Sequence, residues 1–270
     1  MTSEVRAMVL AGNGINCERE TAHACRQGGA DDVDIAYIWD LADGKTSLSG
    51  YQLLCLPGGF LDGDDLGSGR ASAIRLKHTL VEGRPLVDQI RGFVDDGGLV
   101  IGICNGFQLM IKLGLLPALD GKLFEQQATL TWNKSGRFED RWVHLKADPR
   151  SPCVFTRGVD RIQLPVRHGE GQIIGPQETM DGILAAHQAP LLYIDPASGE
   201  PTTEYPLNPN GTVGGMAALT DPTGRLFGLM PHPEAFLHRT NHPRWTRENL
   251  PEAGDGLALF ENAISFIRDE

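Results

Sequence analysis

The stretch Gly102-Ile103-Cys104-Asn105-Gly106 sets a thiol between two glycines. The apolar run Leu99-Val100-Ile101 precedes it, and Phe107-Gln108-Leu109-Met110-Ile111-Lys112-Leu113 follows with helical patterning. The spacing predicts a strand, a sharp turn and a helix, with the turn written Gly-x-Cys-x-Gly. This is a nucleophile elbow carrying cysteine in place of serine. Glycine is needed on both sides because a Cβ there would strike neighbouring chain. The turn lifts the Cys104 sulfur above the carboxyl ends of the strands, at the start of a helix. Helix N-termini favour negative charge, and thiolate is the reactive form of cysteine.

A nucleophilic thiol needs a base, and the base needs a group to orient it. Pro231-His232-Pro233-Glu234 offers both, directly after the strand-like run Leu226-Phe227-Gly228-Leu229-Met230. His232 and Glu234 are two residues apart, so an extended backbone turns them to one side. The two prolines stiffen that backbone. Glu234 can then accept a hydrogen bond from one imidazole nitrogen while the other faces Cys104. Sequence spacing alone does not join the cysteine to this pair.

The elements that must carry these residues alternate. Val5 to Ala11 reads as a strand ending at Gly12-Asn13-Gly14, and a helix follows through Arg26 with Gly28-Gly29 as its stop. Val33 to Trp39 and Tyr51 to Leu56 read as further buried strands. Pro85 to Asp96 has helical spacing of Leu86, Val87, Ile90, Phe93 and Val94. Such alternation implies an α/β, doubly wound, mostly parallel sheet with helices on both faces. After residue 140 the pattern changes. Trp142 to Lys146, Arg161 to Val166, Ile183 to Ala186 and Leu191 to Ile194 read as short strands of a partly antiparallel extension, and Gly256 to Arg268 as a closing helix.

Composition narrows the function. The chain has 270 residues, 41% of them hydrophobic, enough for one sizeable domain. No run reaches the ~20 apolar residues of a membrane helix, and Met1-Thr2-Ser3-Glu4 does not open a signal peptide. Five cysteines without Cys-x-x-Cys spacing argue against a disulfide framework and for a reducing cytoplasm. A net charge of −11 disfavours nucleic acid as a partner. Gly12-Asn13-Gly14 resembles half of a dinucleotide fingerprint, but Cys17 stands where its third glycine belongs. His232, His238 and His242 are close in sequence, yet the prolines beside them fit no helical ligand face, so no metal site is expected.

Together, Gly102 to Gln108 and Pro231 to Glu234 resemble the two signatures of class I, triad-type glutamine amidotransferases. The continuation Asn105-Gly106-Phe107-Gln108 resembles one branch, the glutaminase subunits of phosphoribosylformylglycinamidine synthases. Further segments match that branch in order. They are Asn16-Cys17-Glu18-Arg19-Glu20-Thr21, Pro57-Gly58-Gly59-Phe60 with Gly63-Asp64, His168-Gly169-Glu170-Gly171, and Asn208-Pro209-Asn210-Gly211. The resemblance implies a flavodoxin-like fold and a single amidotransferase domain over residues 1–270. It implies a triad of Cys104, His232 and Glu234, and an oxyanion hole from Gly58, Gly59 and Asn105. Gln108 and the main chain around His168, Gly169 and Glu170 would hold the amino-acid end of L-glutamine.

The released ammonia would pass to a synthetase subunit that activates formylglycinamide ribonucleotide with ATP, and a small third subunit is common in the branch. No Gly-x-x-x-x-Gly-Lys-[Ser/Thr] loop occurs here. ATP and magnesium are therefore expected on the partner, and no cofactor on this chain. The chain departs from the branch at Ala235 and Arg167, and in longer segments near 61–78 and 236–255, whose charges and glycines suit surface loops. Two alternatives stay open: a glutaminase feeding another acceptor, and a non-catalytic module in which Cys104 is a redox sensor.

Overall fold

Five apolar runs pair side by side in the computed structural model, which describes residues 4–270; Met1-Thr2-Ser3, read above as no part of a signal peptide, lie outside the described residues. The first half of the chain runs β1 (Arg6–Ala11), α1 (Glu18–Gln27), β2 (Asp32–Tyr37), α2 (Ile38–Ala42), β3 (Leu53–Leu56) and α3 (Arg70–His78). A two-residue ladder, β4 (Leu80–Val81) and β5 (Arg84–Pro85), leads to α4 (Val87–Asp95), β6 (Leu99–Ile103) and α5 (Asn105–Leu113). The second half adds β7 (Thr129–Trp132), β8 (Glu139–Ala147), β9 (Arg161–His168), β10 (Glu170–Ile174), α6 (Gln177–Ala185) and β11 (Leu191–Tyr193). It closes with β12 (Ala218–Thr220), β13 (Leu226–Leu229) and α7 (Leu257–Asp269).

The main sheet has the order β12-β13-β6-β3-β1-β2, with β12 antiparallel and every other pairing parallel. Counted along the chain, its parallel strands are arranged 2-1-3-4-5, the flavodoxin-like order. Every residue of β3 and β6 is buried, so these strands read as continuous apolar runs rather than alternations. Helices α1 and α7 pack together, as do α3 and α5. In such sheets ligands bind beyond the carboxyl ends of the strands. Those ends lead here to Gly12–Cys17 from β1, Gly58-Gly59 from β3, Cys104 from β6 and His232 from β13. The extension comprises the antiparallel sheet β11-β8-β9 and the antiparallel pair β7–β10.

Two expectations change. Ile183 to Ala186, read as a strand, is the end of helix α6; Met180 and Ile183 are buried one turn apart, a pattern that a short apolar run does not reveal. The second half of the 61–78 segment is helix α3, and Leu61, Ser72, Ala73 and Leu76 are buried among the charges that gave the segment a loop-like composition. The 236–255 segment is irregular but anchored. Phe236 and His242 pack edge-on to Trp142 at 5.1 and 4.6 Å, and Gln163 N donates to Asp255 Oδ2 at 2.7 Å.

Candidate active site

Cys104 sits between β6 and α5 with φ 51° and ψ −102°, a conformation that non-glycine residues rarely take. Close approach imposes it. A Cβ on Gly106 would overlap the Leu56 carbonyl of β3, so only glycine lets α5 lie this near the sheet. The Cys104 N–H donates to Leu229 O on β13 at 2.8 Å, and the thiol points toward Arg167 O at 3.6 Å.

His232 follows β13 and donates its own N–H to Pro165 O on β9 at 2.8 Å, which ties the main sheet to the extension. His232 Nδ1 and Glu234 Oε1 are 2.6 Å apart, with both side chains almost fully buried. Burial opposes charge on the imidazole. The Glu234 carboxylate and the nearby Cys104 and Cys17 thiols outweigh that penalty and hold His232 well above its ordinary value. The ring lies over Gly58, where a Cβ would come within 2.8 Å of Cε1.

Gly59 has φ 143°, and its Cβ position is taken by Gly14 O and Ile15 Cα of the loop after β1. Among the described residues, the N–H groups of Gly58, Gly59 and Asn105 have no hydrogen-bond acceptor. Asn105 holds this turn through its side chain: Oδ1 accepts from Leu61 N at 3.0 Å, and Nδ2 donates to Gln108 Oε1 at 3.0 Å. Gln108 Nε2 donates to Glu170 O at 2.6 Å, and Glu170 Oε2 accepts from Ser68 N at 3.2 Å. Gln108 is thus held in place by Asn105 and Glu170 with one N–H and one acceptor position still unused, and the Glu170 carboxylate is held by the main chain just before α3. His168 is buried, and burial, aided by the His232 charge, drives its imidazole down to about 3, leaving it neutral.

These residues share one cavity of about 370 Å³, lined by Cys104, His232, Gln108 and Glu170, with exposed Phe60, Trp132 and Phe138 at its rim. Cys17 also lines it. In the sequence Cys17 stands out as a missing glycine and as part of the segment from Asn16 to Thr21, and neither reading places it beside His232. Its burial raises the thiol, an effect that the His232 imidazole moderates. Cys17, His232 and Glu234 offer ligand atoms within 4.8 Å of one another. His232 Nδ1 and Glu234 Oε1 pair across 2.6 Å, while His232 Nε2 and Glu234 Oε2 are buried without a hydrogen-bond partner among the described residues. Asn208-Pro209-Asn210-Gly211 does not reach the cavity; it buttresses β7–β10, with Lys134 N donating to Asn210 O and Gln172 Nε2 to Gly211 O.

Residues 4–267 match the family model of the CobB/CobQ-like glutamine amidotransferase domain. The chain is similar to the phosphoribosylformylglycinamidine synthase subunit PurQ of Dehalococcoides mccartyi, with 43% identity covering 98% of this chain and 99% of that protein. It is 39% identical to the PurQ subunit of Methanococcus maripaludis over 97% of each chain. Among solved structures it resembles a chain of PurLQS from Thermotoga maritima, with a TM-score of 0.72, 25% identity and coverage of 98% and 99%.

Proposed function

Because the chain belongs to the CobB/CobQ-like glutamine amidotransferase family, we propose that it is the glutaminase subunit of a phosphoribosylformylglycinamidine synthase in purine biosynthesis. The observation that carries this reading is the buried His232–Glu234 pair opening, with the strained Cys104, onto one cavity. Cys104 attacks the side-chain amide carbon of L-glutamine as thiolate. The tetrahedral oxyanion is held by the unengaged N–H of Asn105 and one from the Gly58-Gly59 turn, and each such donor is worth ~10²–10³ in rate. The raised His232 supplies a proton to the departing ammonia. The resulting neutral imidazole takes a proton from water as it hydrolyses the glutamyl thioester, giving glutamate and the free thiol. Glu234 fixes the tautomer of His232 throughout. Gln108 and the main chain of 168–170 receive the amino-acid end of glutamine.

Ammonia passes to a synthetase subunit, which binds ATP and magnesium and converts formylglycinamide ribonucleotide to the amidine; a small third subunit completes the complex. No metal or cofactor is assigned to this chain. No helix among the described residues is long and apolar enough to cross a membrane, and its free cysteines suit a reducing cytoplasm, where we place it. The test is glutamate release from glutamine, measured with and without the synthetase, ATP and formylglycinamide ribonucleotide. Release that rises with the complete mixture supports the reading. Release that responds only to another synthetase makes the acceptor a different one, and no release with any partner leaves Cys104 as a sensor.

A further inference from the structure

The loop His168-Gly169-Glu170-Gly171 depends on a residue that does not line the cavity: Asn133, the first residue after β7. It is buried, and its main-chain N–H donates to Gly169 O at 2.8 Å. Nδ2 donates to His168 O at 2.7 Å and to Arg137 O at 2.9 Å. Oδ1 accepts from Gly171 N at 3.0 Å and stands 2.9 Å from His168 Nδ1. The backbone alone fixes this orientation of the amide. Carbonyls only accept and the Gly171 N–H only donates, so Nδ2 must face the former and Oδ1 the latter. His168 Nδ1 then faces an acceptor and must carry the ring's proton, in accord with the neutral state that burial imposes.

The Asn133 side chain is therefore saturated, with both donors and both acceptor positions used. Its partners are the groups that a regular ladder leaves over. The β7–β10 register shifts between Glu170 and Gln172, and Gly171 is the extra residue of that bulge. A Cβ on Gly171 would fall 2.5 Å from His168 Cε1 and Nδ1, so the imidazole packs directly against the bulge. Asn133 clamps the loop from this side, while Gln108 and Ser68 hold Glu170 from the other. Aspartate would set a carboxylate oxygen against two carbonyls, and alanine would remove the partner of three buried groups, His168 O, His168 Nδ1 and Gly171 N.

We propose that Asn133 is a positioning residue for glutamine recognition. It keeps the main chain of 168–171 in the shape that receives the amino-acid end of the substrate, without touching the substrate itself. This rests on the glutaminase reading above.

The experiment compares Asn133→Asp, which keeps the shape and loses the donors, with Asn133→Ala. Each is assembled with the synthetase and assayed for glutamine KM and kcat. Ammonia-dependent synthesis, which bypasses the loop, and alkylation of Cys104 by iodoacetamide, measured against Cys104→Ala, are followed alongside. Glutamine KM is expected to rise at least about tenfold in both variants, with kcat changed less than about threefold. Ammonia-dependent synthesis and the alkylation rate stay at wild type, and amide exchange at Gly171 accelerates in Asn133→Ala. An unchanged KM overturns the proposal. A matched loss of ammonia-dependent synthesis, or failure of both variants to fold, also overturns it, because Asn133 would then be a general structural residue. If the wild-type complex releases no glutamate, the glutaminase reading falls instead, and Gly171 exchange still decides whether Asn133 holds the loop.

Discussion

Two regions meet at the candidate active site and are held in place by different physics. On the parallel sheet, the Cys104 turn is fixed by contact: Gly106 sits so close to the Leu56 carbonyl that no side chain fits. On the antiparallel side, the 168–171 loop is fixed by hydrogen bonds from Asn133, Gln108 and Ser68, which lie 35, 62 and 102 residues away from their partners in the chain. Hard contact has no graded response, because a packed core yields or rearranges as a unit. A polar network can be loosened one bond at a time. Changes near the elbow that leave Cys104, His232 and Glu234 in place should therefore register in folding stability, and changes in the loop in glutamine affinity.

The largest expected effect is at the elbow itself. Cys104→Ala should lower glutamine-dependent synthesis by about 10⁴ or more while leaving ammonia-dependent synthesis intact. Cys104→Gly should lose the same activity yet be more stable than the alanine variant by about 1 kcal/mol, since glycine takes the observed φ and ψ without strain. Denaturant unfolding of the two variants measures the difference. Equal stabilities would show that the turn stores no strain and would remove one side of the comparison.

His232 belongs to both regions, since it follows β13 and bonds to Pro165 of β9. Glu234→Gln should reduce glutaminase turnover by roughly 10²–10⁴, as expected when an orienting carboxylate is lost. It should also change stability with a definite sign. His232 is raised above its ordinary value of 6.5 in the folded protein, so the folded state holds this proton more tightly than the unfolded chain. That stabilisation is complete below the unfolded value and is lost as pH rises through the folded one. The gap in melting temperature between wild type and Glu234→Gln should be widest at mildly acid pH and narrow toward alkaline pH. A gap that widens with pH would mean that the pair is not an ion pair.

Gly106→Ala tests contact without altering any reacting group. A new Cβ must displace the Leu56 carbonyl of a fully buried strand, and destabilisation of about 3 kcal/mol or more is expected from chemical denaturation. Protein that remains folded should bind glutamine with nearly normal KM. A variant of normal stability but poor affinity would reverse the assignment of this region.

The same contrast explains what could be read in the sequence. Close backbone approach demands glycine at fixed offsets from a strand and a helix, so the Cys104 turn was legible within five residues. The His232–Glu234 pair was legible because two prolines and a two-residue spacing set its direction. The parallel sheet was legible from its runs of buried apolar residues. Asn133 left no local mark, since nothing in Trp132-Asn133-Lys134 distinguishes a loop clamp from an ordinary turn. Cys17 was legible as part of a matching segment but not as a neighbour of His232 and Gly58, which the topology brings to it. Helix α6 and the buried face of α3 were missed where short apolar runs or dense surface charge obscured a helical period.

The smallest effect is expected at Glu170, and it sharpens the comparison most. Its carboxylate accepts one hydrogen bond, from Ser68 N, and its carbonyl accepts another from Gln108. Glu170→Gln keeps the length, the carbonyl and one acceptor oxygen, so only the charge assistance of the Ser68 bond is lost. Charged hydrogen bonds exceed neutral ones by about 1 kcal/mol, which corresponds to a rise of about fivefold in glutamine KM if the loop carries the loss in full. Turnover at saturating glutamine should be unchanged, because neither Cys104 nor His232 contacts this carboxylate. Unfolding free energy should fall by no more than that same ~1 kcal/mol, since the substitution opens no cavity. Steady-state kinetics and urea unfolding on the same preparation separate the two quantities. If stability falls while KM stays put, the loop is held by packing after all, and the two sides of the site differ in sequence distance alone.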